Sequence, residues 1–122
     1  MPAPDIIVTQ QRLDPADLAR LVQEGFGDMV KFVVDVRRGV IAAGGQLHAD
    51  DEAALLADGS SQADLWGANY YPGRGPGDCL EYSALINIRP ATGNRGMIIE
   101  DAAIRERVRA VATAVFGSGE PL

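Results

Sequence analysis

One cysteine, one histidine, one tryptophan and one lysine set the first limits on this chain of 122 residues. Cys79 has no partner for an internal disulfide and cannot build a thiolate cluster. The only basic residue in the loop before it is Arg74, so nothing in the sequence activates the thiol. His48 alone cannot make a histidine-rich metal site, and any metal would need carboxylate ligands. Basic charge is scarce: 11 Lys and Arg stand against 17 Asp and Glu, a net charge of −6 with a pI near 4.6. That balance excludes broad contact with nucleic acid or anionic lipid, both of which need basic surface. The opening MPAPDIIVTQ lacks a basic leader, and no later apolar run approaches a membrane span, so a cytoplasmic protein is expected. No serine stands in a Gly-x-Ser-x-Gly elbow, the usual hydrolase template. Gly73-x-Gly75-x-Gly77 lies between expected strands and precedes no helix, so it fails as a nucleotide loop. No cofactor is expected, and the sequence does not name a reaction.

What is present is an ordinary globular composition, 47% hydrophobic and 23% charged, at a length suited to one domain. Residues 1–122 read as a single unit with 1–4 and 118–122 as frayed ends. Asp5 to Thr9, with the apolar triplet Ile6-Ile7-Val8, reads as a short strand, and Asp14-Pro15 as a helix start with a capping carboxylate and a pre-set first turn. Leu18, Leu21 and Val22 share a helical face. Met29–Val36 and Val40–Ala43 read as a hairpin about Arg37-Arg38-Gly39. Asp50 and Asp51 open a short helix, and Leu65–Tyr71 is an aromatic strand. Pro72–Asp78 is a mobile loop, Leu80–Arg89 a strand and Met97–Ile99 a short return strand. Asp101 caps a last helix whose Ile104, Val108, Val111 and Val115 form one stripe. The order β-α-β-β-α-β-β-(β)-α predicts an α+β two-layer sandwich, mainly antiparallel, with the helices on one face. The first and last helices would cover Ile86 and Ile88, leaving Asn87 and Arg89 on the outer face.

The chemistry concentrates between Glu81 and Gly96. Alternation along the expected strand sets Ser83, Asn87 and Arg89 opposite Ala84, Ile86 and Ile88, and the turn adds Asn94 and Arg95. Arginine forks with orienting amides suit a carboxylate or phosphate. A polar network pinning the 90–96 turn has the same composition. Asn69 joins the set if paired strands bring it to the face of Asn87. His48 with Asp50 two residues on, or with Asp35, is the candidate acid–base pair. Equally, the histidine suits a hydrogen-bonded loop, the aspartate a helix cap, and Asp35 the solvated face of its strand. Three readings follow. The first is a domain binding a small anionic molecule or peptide through Asn69, Asn87, Arg89, Asn94 and Arg95. The second is a hydrolase-like enzyme using His48. The third is a homodimer formed through the sheet face, with Tyr70 or Tyr71 exposed.

Asp35, His48-Ala49-Asp50, Trp66-Gly67-Ala68-Asn69, Glu81-Tyr82 and Asn87-Ile88-Arg89-Pro90 with Gly93-Asn94-Arg95 together resemble an uncharacterised family of short bacterial proteins, a domain of unknown function. The resemblance runs from the first strand to the last helix. It implies a single domain and carries no activity or substrate.

Overall fold

The computed structural model describes residues 6–122; the expected fraying of residues 1–4 lies outside them. Asp14 and Pro15 begin α1 (Pro15–Glu24), with the Asp14 carboxylate accepting the Ala16 N–H at 2.8 Å. β2 (Val30–Asp35) and β3 (Val40–Ala43) form the expected hairpin. β1 (Ile7–Thr9) pairs with β3, β4 (Leu65–Tyr70) with β2, and β5 (Leu80–Glu81) with β4. The result is one antiparallel sheet in the order β1-β3-β2-β4-β5. With α2 (His48–Ala57) and α3 (Ala102–Phe116) the described residues form an α+β domain of five strands and three helices.

The period of two divides each central strand between two cores. Phe32, Val34, Ile41, Ala43, Trp66, Ala68 and Tyr70 face α1 and α3, where Leu18, Leu21, Val22, Val108, Ala112, Val115 and Phe116 meet them. The Phe116 ring stacks on Tyr70 with centroids 5.0 Å apart and meets Phe32 edge-on at 5.1 Å. Val33, Val40, Ala42 and Leu65 face the other way and pack with Leu55 and Ala54 of α2 and with Ile86. The first and last helices thus share a face as the sequence predicts, while α2 and Ile86 lie on the other. The sheet order explains this. β3 and β4 flank β2 on opposite sides, so their connection must cross over β2. One face is filled by α1 and α3, and the crossover takes the free one.

Three other expectations change. Only Leu80–Glu81 of the expected 80–89 strand is strand; Leu85–Asn87 and Pro90–Thr92 are 3₁₀ turns, and residues 97–99 form no strand, pairing with 82–84 about one isolated bridge, Ser83 to Ile98. Burial there follows a period of three, not two: Ala84 and Asn87 are buried, whereas Leu85 and Ile88 are 71% and 42% exposed. The cause is Gly67 on β4. A Cβ there would lie 2.6 Å from the Ala84 Cβ and 3.1 Å from the His48 Cδ2, so the missing side chain lets this segment lie directly on the sheet.

Asp35, read as solvated, is fully buried. Its Oδ1 accepts the N–H groups of Arg37 and Arg38 at 2.9 and 2.8 Å, and Oδ2 accepts the Ser60 hydroxyl at 2.6 Å. Burial alone would raise its pKa, but the hydrogen bonds from Ser60 and the Arg38 and Arg37 amides outweigh it and hold the carboxyl below its ordinary value. The carboxylate ties the β2–β3 turn to the segment after α2.

The tail, read as frayed, is held by the glycine loop. Gly73 and Gly75, both at positive φ, donate to the Gly119 carbonyl, and the Gly119 N–H donates to the Tyr70 hydroxyl at 2.9 Å. Tyr70 is therefore buried between sheet and tail rather than displayed on a surface.

Candidate functional site

Lys31, Asn69 and Glu81 stand opposite one another on β2, β4 and β5, because the register pairs Lys31 with Asn69 and Asn69 with Glu81. All three share the face of Val33 and Gly67, the face that α2 covers. α2 begins at His48, and its first turn overhangs this row. Between them opens a cleft of about 510 Å³. Its polar lining is Lys31, His48, Asn69, Tyr71, Glu81 and Ser83, and its apolar walls include Met29, Leu47, Leu85, Ile86 and Met97. A concave, largely apolar site with a few convergent polar groups is the usual form of a small-molecule site.

The polar groups divide sharply into satisfied and free. Asn69 donates from Nδ2 to the Glu81 Oε1 at 2.7 Å, and the Tyr71 hydroxyl donates to the same oxygen at 3.1 Å. Among the described residues Glu81 Oε2 receives no hydrogen bond, and the buried Oδ1 of Asn69 has no partner. The Lys31 ammonium forms no ion pair among the described residues and lies 4.8 Å from the centroid of the Phe26 ring.

His48 is almost fully buried, and its Nε2 lies 2.9 Å from the Ala68 carbonyl. A carbonyl only accepts, so Nε2 carries the proton and the lone pair of the neutral ring is on Nδ1. Burial pulls the His48 pKa below its ordinary value, with the Lys31 charge acting in the same direction; the Ala68 carbonyl, Asn69 and Glu81 oppose it. Both the burial and the Lys31 charge favour the neutral ring.

The structure brings only two of the expected site residues, His48 and Asn69, to this cleft. Asp50 is turned to the start of α2, where its Oδ2 accepts the Leu47 N–H at 3.1 Å. No hydrogen bond joins His48 to Asp50 or Asp35 among the described residues. Asn87 is fully buried: Oδ1 accepts the Gly67 N–H at 2.9 Å, and Nδ2 donates to the carbonyls of Gly67 and Met97 at 2.9 and 3.0 Å. Asn94 is buried with its Nδ2 shared among the carbonyls of Asn87, Gly96 and Ile98, while Oδ1 accepts the Glu100 N–H. Both amides replace main-chain partners that an irregular segment cannot give itself. Arg89 donates to the Leu65 carbonyl and lies over the Trp66 ring at 4.7 Å. It borders a second cavity of about 540 Å³, which Glu100 and Asp101 also line. Arg95 is exposed, and its main-chain N–H meets Glu100. The expected ligand cluster is thus split between a cleft, a buried network and an exposed turn.

Sequence reasoning missed Lys31, Glu81 and Tyr71 as cleft residues. The signal was present for one: a lone lysine two positions from Val33 and four from Asp35 shares their face. It also missed Asp51. That side chain is fully buried at the base of α2, with Oδ1 accepting the Gly45 N–H at 2.9 Å and Oδ2 unpartnered. Burial pushes its pKa up to about 8, with the Gly45 N–H opposing and the Asp50 charge adding to the rise.

No group of three or more His, Cys, Asp or Glu side chains gathers as a metal site among the described residues. No helix among them is long and apolar enough to cross a membrane. Comparison with curated proteins and with solved structures finds no match. A family described as a protein of unknown function, DUF5674, matches residues 6–115, a span that runs from the first strand almost to the end of α3. The cleft, the Gly67 contact and the two asparagine clamps all lie within that span, and the chain belongs to the DUF5674 family.

Proposed function

We propose that this domain binds a small anionic molecule with an apolar body, and that the ligand lies in the cleft under the first turn of α2. The observation that carries the reading is Lys31: its side chain lines an otherwise mostly apolar cleft, and its ammonium has no carboxylate partner among the described residues. A carboxylate placed there meets the one lysine of the chain, while Asn69 gives a fixed amide beside it. The neutral His48 adds no competing charge. This moves the anion from Arg89 and Arg95, where the sequence pattern put it, to the sheet row. Arg89 shares its cavity with two carboxylates, and the amides of Asn87 and Asn94 are spent on main chain. A hydrolase-like reading has less support, since Asp50 caps the helix and Asp35 ties a turn. A homodimer through the outer sheet face has less as well, because α2 and residues 84–87 cover that face.

Titration of 4-methylpentanoate, followed by amide and side-chain NMR, tests the reading. Perturbations centred on Lys31 and Asn69, with affinity about tenfold lower in Lys31→Met, are expected from loss of one charge-assisted contact. Perturbations centred on Arg89 and Arg95, or none at all, would refute it.

A further inference from the structure

Resting on that reading, we infer that the ligand is a zwitterion: an α-amino acid with an apolar side chain, its carboxylate at Lys31 and its ammonium at Glu81. The register carries the inference. Lys31 and Glu81 have opposite charges and stand one strand to either side of Asn69. Neighbouring strands are about 4.8 Å apart, so the two backbones are separated by roughly 10 Å. No ion pair joins them among the described residues. A molecule bearing both charges at one end completes both partners at once.

Each group has the valence left for the role. Glu81 Oε1 is filled by Asn69 and Tyr71, whose two hydrogen bonds fix the carboxylate and leave Oε2 as the acceptor for an ammonium. Lys31 supplies the opposite charge. With His48 neutral, Lys31 and Glu81 are the charged side chains of the lining and cancel, so a ligand of zero net charge is matched better than a dianion. The remaining lining is apolar: Leu47, Leu85, Ile86 and Met97 stand where the ligand's side chain would go, and Leu47 and Leu85 are largely exposed without it. The volume lies within the range of about 300–1,000 Å³ usual for small-molecule pockets.

Three probes that share the 3-methylbutyl group separate this inference from the reading beneath it: L-leucine, 4-methylpentanoate and 3-methylbutylamine. Calorimetric titration of the wild-type chain is expected to give L-leucine the highest affinity, 4-methylpentanoate about tenfold weaker, and the amine no saturable binding. In Glu81→Gln, which keeps an acceptor for Asn69 and Tyr71, the preference for L-leucine over 4-methylpentanoate should vanish, and the acid, relieved of a neighbouring carboxylate, should bind no more weakly than to the wild type. A thermal melt matching the wild type confirms that the variant is folded. If 4-methylpentanoate binds the wild type as tightly as L-leucine, the zwitterion is wrong and the anion reading stands. If neither binds, both fall. L-leucine binding with equal loss in Glu81→Gln for both acids would also overturn the inference, because Glu81 would then be shaping the cleft rather than meeting an ammonium.

Discussion

Replacing Asn87 by alanine should destabilise this domain more than most single substitutions. The side chain is completely buried and makes three hydrogen bonds, all to main chain: one from the Gly67 N–H and two to the carbonyls of Gly67 and Met97. Alanine strands those three groups in the interior and opens a void besides. At a net value near 1 kcal/mol for each hydrogen bond, the loss is about 3 kcal/mol, before the void is counted. For a domain of this size that corresponds to a midpoint lower by roughly 10 °C. Urea unfolding followed by Trp66 fluorescence gives the number, and an unchanged denaturant slope would show that the unfolded state is unaffected. Asn87→Leu separates polarity from packing. It refills much of the volume but leaves the main-chain groups unpaired, so it should lose nearly as much. A loss under about 1 kcal/mol in Asn87→Ala, or a full recovery in Asn87→Leu, would refute the reasoning.

Gly67→Ala should cost about 1–3 kcal/mol, since its Cβ would meet the Ala84 Cβ at 2.6 Å and the segment must shift. Combining it with Ala84→Gly should recover part of that loss in the same urea assay, and no recovery would place the strain elsewhere. Asp51 sets a pH dependence. Its folded pKa, about 8, is raised above the unfolded value near 4. Its stabilising contribution is therefore whole below about pH 4 and is lost as pH rises towards 8, because the folded state holds the extra proton. Asp51→Asn keeps an acceptor for the Gly45 N–H and should flatten the decline between pH 5 and 8. A variant that falls as steeply as the wild type would refute this.

The helix ends and the hairpin were legible because their signals are local. Asp14-Pro15 and Asp101 name their own hydrogen bonds, and the cap contacts are where the pattern puts them. The α+β class followed from hairpin spacing. Residues 82–99 were not legible, since alternation of Ala84, Ile86 and Ile88 mimics a strand. The deciding fact lies fifteen or more residues away, in the missing side chain of Gly67 and in the Gly67 main chain that the Asn87 amide meets. The cleft shares that limit. His48 and Asn69 can be singled out as residues, but their company with Lys31 and Glu81 depends on register across three strands, which no local pattern encodes. The same applies to Asp35: its neighbours in sequence suggest solvent, and Ser60 arrives only once α2 has folded back.

The row of Lys31, Asn69 and Glu81 also has a kinetic meaning. Its members come from β2, β4 and β5, while the locally formed β2–β3 hairpin contains only the lysine. A chain that has made its hairpin and α2 but not yet docked β4 has no such row at all, for closing that long loop must precede the contacts that reward it. If the proposed ligand binds there, its affinity reports the completed sheet. A bound molecule would slow the separation of β4 from β2 while leaving hairpin formation at its own pace, so protection from amide exchange should rise at Gly67 to Tyr70 far more than at Val40 to Ala43.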